Sequence, residues 1–240
     1  MVEKLRVLDL FSGIGGFSVG LEKTGGFETV AFCEKNRDRW PVLNKHWPSV
    51  PIIEDVKRMP DGLVVDLVTA GFPCQDISFQ GKGAGLSGSR SRLFWRIVRT
   101  AGLVGWPRLL LENVAALLDR GMGDVLGALA QVGYDIQWDC IPGSSVGAPH
   151  IRDRVWISAQ HRSKREPGIW LKQICRQSAF SWLQNVRRAE DLPERSPLYP
   201  SKLCRGGNGV RKRLDACGNA VIPQIPESIG REILRAEGRS

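Results

Sequence analysis

A short apolar strand that runs directly into a glycine-rich turn constrains the fold of this 240-residue chain more than any other stretch. Residues 5–10 are Leu-Arg-Val-Leu-Asp-Leu, and the turn at 11–16 is Phe-Ser-Gly-Ile-Gly-Gly, followed by a helix-compatible segment at 17–23. A strand, a glycine turn and a helix in this order are typical of α/β domains that bind a nucleotide-like ligand. The dinucleotide fingerprint is not met, because Ser18 occupies the position of its third glycine.

Apolar runs and helical periodicity alternate along the rest of the chain, which predicts an α/β fold with a mostly parallel, twisted sheet and helices on both faces. The pattern resembles the doubly wound, Rossmann-like arrangement, in which ligands bind at the carboxyl ends of the strands. The further predicted strands are 29–33, 52–53, 63–70, 107–111, 135–141 and 155–158, and the further predicted helices are 36–46, 90–104, 123–132 and 224–236.

Acidic residues stand at the ends of two predicted strands. Glu34 follows the second strand, about twenty residues after the glycine turn, where nucleotide-binding folds place a carboxylate that accepts hydrogen bonds from ribose hydroxyls. Asp55 follows the third strand and is a second place where a carboxylate could meet a cofactor. An exposed glutamate at a strand end remains an equally good explanation of Glu34 taken by itself.

Two reactive side chains are expected at the same edge of the sheet. Residues 71–78, Gly-Phe-Pro-Cys-Gln-Asp-Ile-Ser, stop the fourth strand abruptly and place Cys74 in a turn at its carboxyl end. Glu112 follows the strand at 107–111. A buried structural cysteine is the commoner role of a lone thiol, but a carboxylate at the same edge favours a reactive site.

Two loops complete this edge. The glycine- and serine-rich residues 81–89 are long enough to form a lid that closes over a substrate, and a plain flexible connection is the alternative. Arg152 and Arg154 precede the last strand and point to the same side if they are extended, where they could meet a base or a phosphate. Solvated rim charges are the alternative for this pair.

The basic charge is concentrated in one segment. The chain carries a formal net charge of +9, and residues 162–213 contain thirteen Lys or Arg against four Asp or Glu. This block favours a polyanion-binding face, whereas a solvated surface is the ordinary explanation of a charge run. Its prolines, glycines and broken periodicity predict a small, loosely structured lobe, in which Trp170, Trp182 and Tyr199 form a minimal core or stack on bases.

Composition excludes several other classes. Six cysteines without a C-x-x-C pair and three histidines suggest neither a zinc site nor a disulfide framework, so no metal is expected. Apolar runs are too short for a membrane helix, and the first residues lack a signal-peptide pattern, so a cytoplasmic protein is expected. We expect a catalytic and cofactor-binding domain at 1–159, the basic lobe at 160–217, and a terminal segment at 218–240 that returns to the first domain.

Six blocks in a fixed order resemble the C5-cytosine DNA methyltransferase family. Residues 9–16 resemble its S-adenosylmethionine loop, 71–75 its Pro-Cys nucleophile motif, and 112–114 (Glu-Asn-Val) its catalytic glutamate motif. Residues 90–94 are similar to its helix signature after the catalytic loop. Residues 147–154 resemble its arginine motif, and 218–221 (Gly-Asn-Ala-Val) its C-terminal motif. The resemblance spans residues 9 to 221 and is specific because the order is kept.

The resemblance implies a DNA (cytosine-5-)-methyltransferase that transfers a methyl group from S-adenosylmethionine to C5 of a flipped-out cytosine. Cys74 would be the nucleophile, Glu112 would act at N3, and Arg152 and Arg154 would hold the base. Phe11 would stack on adenine, Glu34 would bind the ribose and Asp55 the adenine amino group, while Pro73 and Asn219 would line the methionine end. The complete implied cofactor set is Phe11, Ser12, Gly13, Ile14, Gly15, Gly16, Glu34, Asp55, Val56, Pro73, Asn219 and Ala220.

The same resemblance implies double-stranded DNA as the partner, bound by a monomer in a bacterial cell, or in a host cell if a phage supplies the gene. A restriction endonuclease is a candidate companion. The target base would leave the duplex at a cost of a few kcal/mol and enter the pocket under the 81–89 loop. The residues expected to contact DNA are Gln75, Ser78, Lys82, Arg90, Arg205 and Arg211.

Two departures from the family pattern shape further expectations. His150 stands where the arginine motif usually has glutamine, and about sixty residues separate the last core strand from Gly218, where the family usually has a whole target-recognition domain. Relaxed or very short sequence specificity is therefore expected. Three alternatives remain: an RNA (tRNA) cytosine-5 methyltransferase, a catalytically silent DNA-binding relative, and a nicotinamide-dependent oxidoreductase, which the missing glycine at Ser18 disfavours.

Overall fold

The computed structural model describes residues 3–72, 92–148, 152–164 and 219–239. These residues form a seven-stranded sheet flanked by helices on both faces, and the predicted α/β class is confirmed. The strands are β1 Leu5–Leu10, β2 Phe27–Cys33, β3 Ile52–Ile53, β4 Leu67–Gly71, β5 Arg108–Val114, β6 Tyr134–Pro142 and β7 Asp153–His161.

The strand order is β3-β2-β1-β4-β5-β7-β6. Neighbouring strands from β3 to β5 run parallel, whereas β7 is antiparallel to both β5 and β6. The reason is the short connection from Pro142 to Asp153, since a parallel return normally needs a crossover of a dozen or more residues. The amino end of β7 therefore lies beside the carboxyl ends of β4 and β5.

Six α-helices are present in the described residues, and short 3-10 turns at Arg37–Arg39, Val56–Arg58 and Gly143–Val146 join some of the elements. The predicted strand at 5–10 and the predicted terminal helix at 224–236 have the bounds observed. The helices are α1 Gly16–Glu22, α2 Trp40–His46, α3 Arg92–Leu103, α4 Leu117–Arg120, α5 Met122–Gln131 and α6 Gln224–Ala236.

Apolar side chains cover both faces of the central strands, as expected for buried parallel strands. Alternation along β1 sends Leu8 and Leu10 into the larger core cluster, which includes residues of α3 and α5, and sends Val7 into the second cluster, which includes residues of α1 and α6. Helices α1 and α6 pack closely: a Cβ added at Gly20 would lie 2.1 Å from the carbonyl oxygen of Pro223.

Most predicted bounds differ from the structure by one to three residues, and two predicted elements begin four residues too early. Strand β4 begins at Leu67 rather than at residue 63. The chain turns at Gly62, whose φ is +76°, and Val64 is 61% exposed, so the first residues of the apolar run lie outside the sheet. The predicted helix at 36–46 is divided, because the Asn36 side chain caps a 3-10 turn and α2 begins only at Trp40. Apolar content alone did not mark either boundary.

Several predictions concern residues outside the described ranges. The turn with Pro73, Cys74, Gln75 and Ser78, the glycine-rich loop at 81–89 with Lys82, the arginine at 90, His150, and most of the basic lobe with Arg205 and Arg211 all lie there. Their proposed roles remain predictions. Among the described helices, none is long and apolar enough to cross a membrane.

Candidate active site

Polar residues converge where the sheet order reverses. Strand β1 lies between β2 and β4, so the chain turns to one side after β1 and later returns on the other side. This switch point opens a crevice at the carboxyl ends of β1 and β4, the usual ligand position in doubly wound sheets. The glycine turn follows β1 there, and Gly71 ends β4 on the opposite side of the crevice.

The turn at residues 11–16 has an unusual backbone. Phe11 is left-handed, with a φ of +54°, and so are Gly13 (+59°) and Gly15 (+83°). A left-handed Phe carries strain that is commonly kept at functional sites. A Cβ at Gly13 would meet one atom, Arg39 Nη1 at 3.9 Å, whereas a Cβ at Gly15 would lie 2.7 Å from the Trp47 ring. Gly13 therefore faces open space, and Gly15 is required by packing.

Glu34 fastens this turn to the end of β2. Its Oε2 accepts a hydrogen bond from the Gly13 N–H at 2.8 Å, and its Oε1 accepts one from the Asn36 N–H at 2.6 Å. Arg39 Nη1 lies 3.5 Å from Oε2, and Glu34 is 5% exposed. The carboxylate is thus held at the mouth of the turn, at the spacing that predicted a ribose acceptor.

The Ser12 side chain joins β1 to β2 through hydrogen bonds. Its hydroxyl donates to the Asp9 carbonyl at 2.6 Å and accepts from the Cys33 N–H at 3.2 Å. The Cys33 thiol is buried, and burial beside carboxylates raises its pKa to about 12, so it is inert. Ser12 is therefore a structural anchor of the turn, while half-buried Ile14 lies between its two left-handed glycines.

Asp55 and Val56 lie beyond β3, at the neighbouring strand end. The Asp55 side chain caps a 3-10 turn by accepting the Lys57 N–H at 2.9 Å, and Val56 is buried in the larger core cluster. The Asp55 carboxylate remains at the edge of the sheet where Glu34 lies, one strand further along. Two carboxylates on adjacent strand ends suit the hydroxyls and exocyclic amine of a nucleoside.

The segment that begins at Asn219 and Ala220 closes the crevice from a distant part of the sequence. Its next residue, Val221, packs against the glycine turn, because a Cβ at Gly16 would lie 2.7 Å from the Val221 carbonyl oxygen. A Cβ at Gly71 would lie 3.9 Å from Val221 Cγ2. This segment therefore borders both strand ends that form the switch point.

An ion pair between a buried carboxylate and a half-buried arginine lies near the end of β5. Glu112 is 8% exposed, and its Oε1 lies 2.9 Å from Arg154 Nε at the start of β7. The two strands place these residues together because β7 runs antiparallel beside β5, with Trp156 opposite Glu112 and Arg154 opposite Val114. A Cβ at Gly71 would lie 3.4 Å from Glu112 Oε2, so this glycine leaves room for the carboxylate.

Burial and arginine act in opposite directions on Glu112. Burial raises the pKa of its carboxyl above the ordinary glutamate value, while Arg154 and, more weakly, Arg152 oppose that rise. Half-buried Arg152 has a lowered pKa, caused by desolvation and by the charge of Arg154. The arrangement holds a carboxyl that can carry a proton nearer to neutral pH than an exposed glutamate.

Asn113 joins the end of β5 to the end of β4. Its Nδ2 donates to the Phe72 carbonyl oxygen at 2.9 Å, and its Oδ1 accepts the Val114 N–H at 2.8 Å. Phe72 is the last described residue before Pro73 and Cys74. Asn113 therefore fixes the point from which the predicted nucleophile turn departs, a role that the sequence pattern did not reveal.

Asp9 is a second functional candidate that the sequence prediction missed. It is fully buried, with Oδ1 2.9 Å from the Thr69 hydroxyl and Oδ2 2.9 Å from the Ser18 hydroxyl. One signal was available: a lone carboxylate inside an apolar strand that is covered on both faces. Within the described ranges, no group of three or more His, Cys, Asp or Glu is placed to hold a metal ion.

The fold and this edge define a doubly wound α/β domain with a buried acid, Glu112, next to the switch point of its sheet. The sequence model of the C-5 cytosine-specific DNA methylases matches residues 5–203. The chain belongs to this family, and the resemblance drawn from the six sequence blocks is confirmed.

Bacterial relatives agree with the family assignment. Type II methyltransferase M2.BsuMI of Bacillus subtilis is 37% identical over 163 residues, which cover 65% of this chain and 42% of that protein. Type II methyltransferase M.Eco47II of Escherichia coli is 35% identical over 242 aligned positions, covering 95% and 56%. The chain thus spans about half the length of the curated relatives it matches.

Two solved structures share the fold. The S. pombe Dnmt2 methyltransferase has a TM-score of 0.58 at 22% identity, covering 71% of this chain and 55% of that one. The Entamoeba histolytica methyltransferase EhMeth has a TM-score of 0.55 at 18% identity, covering 70% and 56%. At these identities the likeness concerns the arrangement of strands and helices.

Proposed function

We propose that the chain is a DNA (cytosine-5-)-methyltransferase that uses S-adenosylmethionine and forms a covalent adduct through Cys74. The observation that carries the proposal is the ion pair of buried Glu112 with Arg154 beside Gly71, two strand ends away from the glycine turn. Such a pair can act on one polar edge of a base while a donor lies at the switch point. Family membership identifies cytosine C5 and DNA as the expected target.

The residues of the crevice fit S-adenosylmethionine. Gly13 faces open space beside the buried carboxylate of Glu34, and Asp55 follows on the next strand end. Phe11 leads into the turn. Asn219 and Ala220 directly precede Val221, which lies near Gly71, and Pro73 follows Gly71 by two residues. Bound there, S-adenosylmethionine supplies an electrophilic methyl group on a sulfonium sulfur.

Cys74 supplies the nucleophile in this proposal. Cytosine C5 is a poor nucleophile, and addition of a thiolate to C6 raises its electron density, forming a C–S bond as the C5–C6 double bond opens. Cys74 follows Phe72 by two residues, so its Cα lies within about 7 Å of that of Phe72. The Asn113 bond to the Phe72 carbonyl therefore limits where the thiol can go.

Glu112 and the arginines stabilise the ring during addition. The Glu112 carboxyl donates its proton to N3, which neutralises the charge that the thiolate pushes into the ring. Arg154 and Arg152 hold O2 and keep Glu112 oriented. After methylation a base takes the C5 proton, the C6–S bond breaks, and Cys74 leaves as a thiolate while the N3 proton returns to Glu112.

Incubation with labelled S-adenosylmethionine and either DNA or RNA, followed by nucleoside analysis, tests the proposal. We expect label in 5-methylcytosine from double-stranded DNA. Label in RNA alone would identify the RNA methyltransferase alternative, and binding to DNA without label would identify the silent DNA-binding alternative. Oxidation or reduction of a nicotinamide cofactor would instead indicate the oxidoreductase.

Replacing Glu34 tests the cofactor site. Glu34→Gln keeps the shape but removes the charge that accepts the Gly13 N–H and the ribose hydroxyls, and charged hydrogen bonds of this kind contribute about 1.5–3 kcal/mol. We expect the KM for S-adenosylmethionine to rise at least about tenfold, with kcat changed by less than about threefold. Glu28→Gln, at the exposed beginning of the same strand, is the matched control and should leave both constants unchanged. An unchanged KM in Glu34→Gln would remove Glu34 from the site.

The basic segment at 160–217 is proposed to be a reduced target-recognition lobe between the catalytic domain at 1–159 and the returning segment at 218–240. Arg205 and Arg211 would contact DNA there, with Gln75, Ser78, Lys82 and Arg90 contributing beside the nucleophile. A companion restriction endonuclease is a further proposed partner.

A short lobe has little surface with which to distinguish base pairs, since sequence is read by contacts to base edges. We expect methylation mapping of bacterial genomic DNA treated with the purified protein to show a very short or relaxed target sequence. A long, strictly defined target would contradict the reduced-lobe proposal while leaving the proposed chemistry intact. Methylation mapping therefore tests target recognition separately from catalysis.

A further inference from the structure

A buried polar triad lies directly beneath the candidate active site. The Asp9 carboxyl at the end of β1 accepts hydrogen bonds from Ser18 on α1 and from Thr69 on β4, each at 2.9 Å. Asp9, Ser18 and Thr69 each have 0% exposure. One carboxyl group therefore joins three separate elements inside the core.

The triad lies one layer below Glu112 on the same face of the sheet. Thr69 pairs with Leu110 and Gly71 pairs with Glu112, so the layers are two residues apart along parallel strands, about 7 Å. Phe17, next to Ser18 on α1, lies at the upper layer, because a Cβ at Gly71 would be 3.7 Å from its ring. Helix α1 and strand β4 therefore each contribute a residue to both layers, Ser18 and Phe17 on α1 and Thr69 and Gly71 on β4.

Burial of the Asp9 carboxyl in this triad is energetically unfavourable. Burial raises the pKa of the Asp9 carboxyl to about 7, against the opposing effect of the Thr69 and Ser18 hydroxyls, and Glu34 contributes a smaller electrostatic increase. Apolar residues of similar volume are often as stabilising as a buried polar group, or more so. The geometry, which joins α1 and β4 to β1 through one carboxyl group, gives these residues a different use.

We propose that Asp9 is a positioning residue that aligns the glycine turn, through Ser18 and α1, with the segment leading to Cys74, through Thr69 and β4. This inference deepens the proposed function and rests on it for the identity of the two aligned groups. Loss of the Ser18 bond loosens the donor-binding turn, whereas loss of the Thr69 bond loosens the base of the nucleophile turn. The two bonds therefore control different kinetic constants.

Kinetic constants separate this role from simple stabilisation. We expect Ser18→Ala to raise the KM for S-adenosylmethionine about tenfold with kcat within about threefold, and Thr69→Val to lower kcat about tenfold with KM within about threefold. Thr69→Ser keeps the hydroxyl and should restore kcat. Thr29→Val is the matched control, since the buried Thr29 hydroxyl on β2 has no hydrogen-bond partner in the described part of the chain.

Amide hydrogen exchange of the protein without ligand gives a readout that does not depend on activity. Ser18→Ala should speed exchange in the peptide covering residues 11–18, Thr69→Val in the peptide covering 67–80, and Asp9→Asn in both, while Thr29→Val should change neither. Equal changes of both peptides in both single variants, or a Thr69→Ser variant as impaired as Thr69→Val, would overturn the proposal. If the wild type fails to methylate, the proposed function falls while the exchange pattern still decides the role of Asp9.

Discussion

Cys74→Ser is expected to lose methyl transfer to DNA by at least about 10⁴-fold, the size of effect seen when an enzyme loses its nucleophile. A serine hydroxyl is protonated at neutral pH and is a far weaker nucleophile than a thiolate, so addition to C6 fails. Steady-state and single-turnover incorporation of labelled methyl groups into DNA measure the loss. Full activity of Cys74→Ser would refute the assigned nucleophile.

A covalent trap makes the same prediction independent of turnover. DNA that carries 5-fluorocytosine cannot lose a proton from C5 after methylation, so the C6–S bond persists and the complex survives denaturing electrophoresis. We expect this complex with the wild-type protein and its absence with Cys74→Ser. A complex that forms equally well with Cys74→Ser would identify another nucleophile.

Cys140→Ser is the matched control. Cys140 lies on β6, and burial together with the Asp153 and Asp139 charges raises the pKa of its thiol. A thiol with a raised pKa is a weak nucleophile, so its replacement should leave methyl transfer and the trapped complex unchanged. A similar loss in both variants would point to a general effect of serine substitution and not to nucleophilic catalysis.

Local patterns were enough to predict much of the core. The strand at 5–10, the glycine turn and the terminal helix at 224–236 each carry their own signal: an apolar run, a change to glycine, and a helical stripe. Glu34 and Glu112 were also placed correctly at one edge of the sheet, because parallel strands share that edge, although β5 continues past Glu112 to Val114. These features depend on neighbours in sequence.

Features that depend on distant neighbours were not predicted. The antiparallel direction of β7 brings Arg154 to Glu112, although the short connection before it was a usable signal. The Asp9 bonds to Ser18 and Thr69 and the Asn113 bond to Phe72 join residues that are 9, 60 and 41 positions apart. A hydrogen-bond partner this far away in the sequence gives no local signal beyond a polar residue in an apolar strand.

Glu112→Gln is the second large expected effect. A glutamine can hydrogen-bond to N3 but cannot give it a proton, so we expect kcat to fall about 10²–10⁴-fold, the usual contribution of a general acid. Glu28→Gln, on the exposed part of β2, should leave kcat unchanged. Glu112→Gln should fold normally, because the amide keeps the volume of the side chain and can still accept a bond from Arg154.

The free energy of unfolding of Glu112→Gln distinguishes a loss of catalysis from a loss of folding. Burial raises the pKa of Glu112 in the folded protein, so the folded state binds more protons than the unfolded state between the two pKa values. Its contribution to the free energy of unfolding therefore decreases as pH rises from the ordinary glutamate pKa to the raised one. Glu112→Gln removes this decrease and should be at least as stable as the wild type at neutral pH in denaturant titrations.

The pH dependence of kcat gives the sharpest test of Glu112, because the proton donor must be protonated. We expect the wild-type rate to fall as pH rises through the raised pKa of Glu112, and this alkaline limb to be absent in Glu112→Gln. Arg154→Ala removes the strongest effect that opposes the raised pKa, so the limb should move to higher pH while kcat falls. A limb that stays in place in Arg154→Ala, or that persists in Glu112→Gln, would assign the titrating group to another residue.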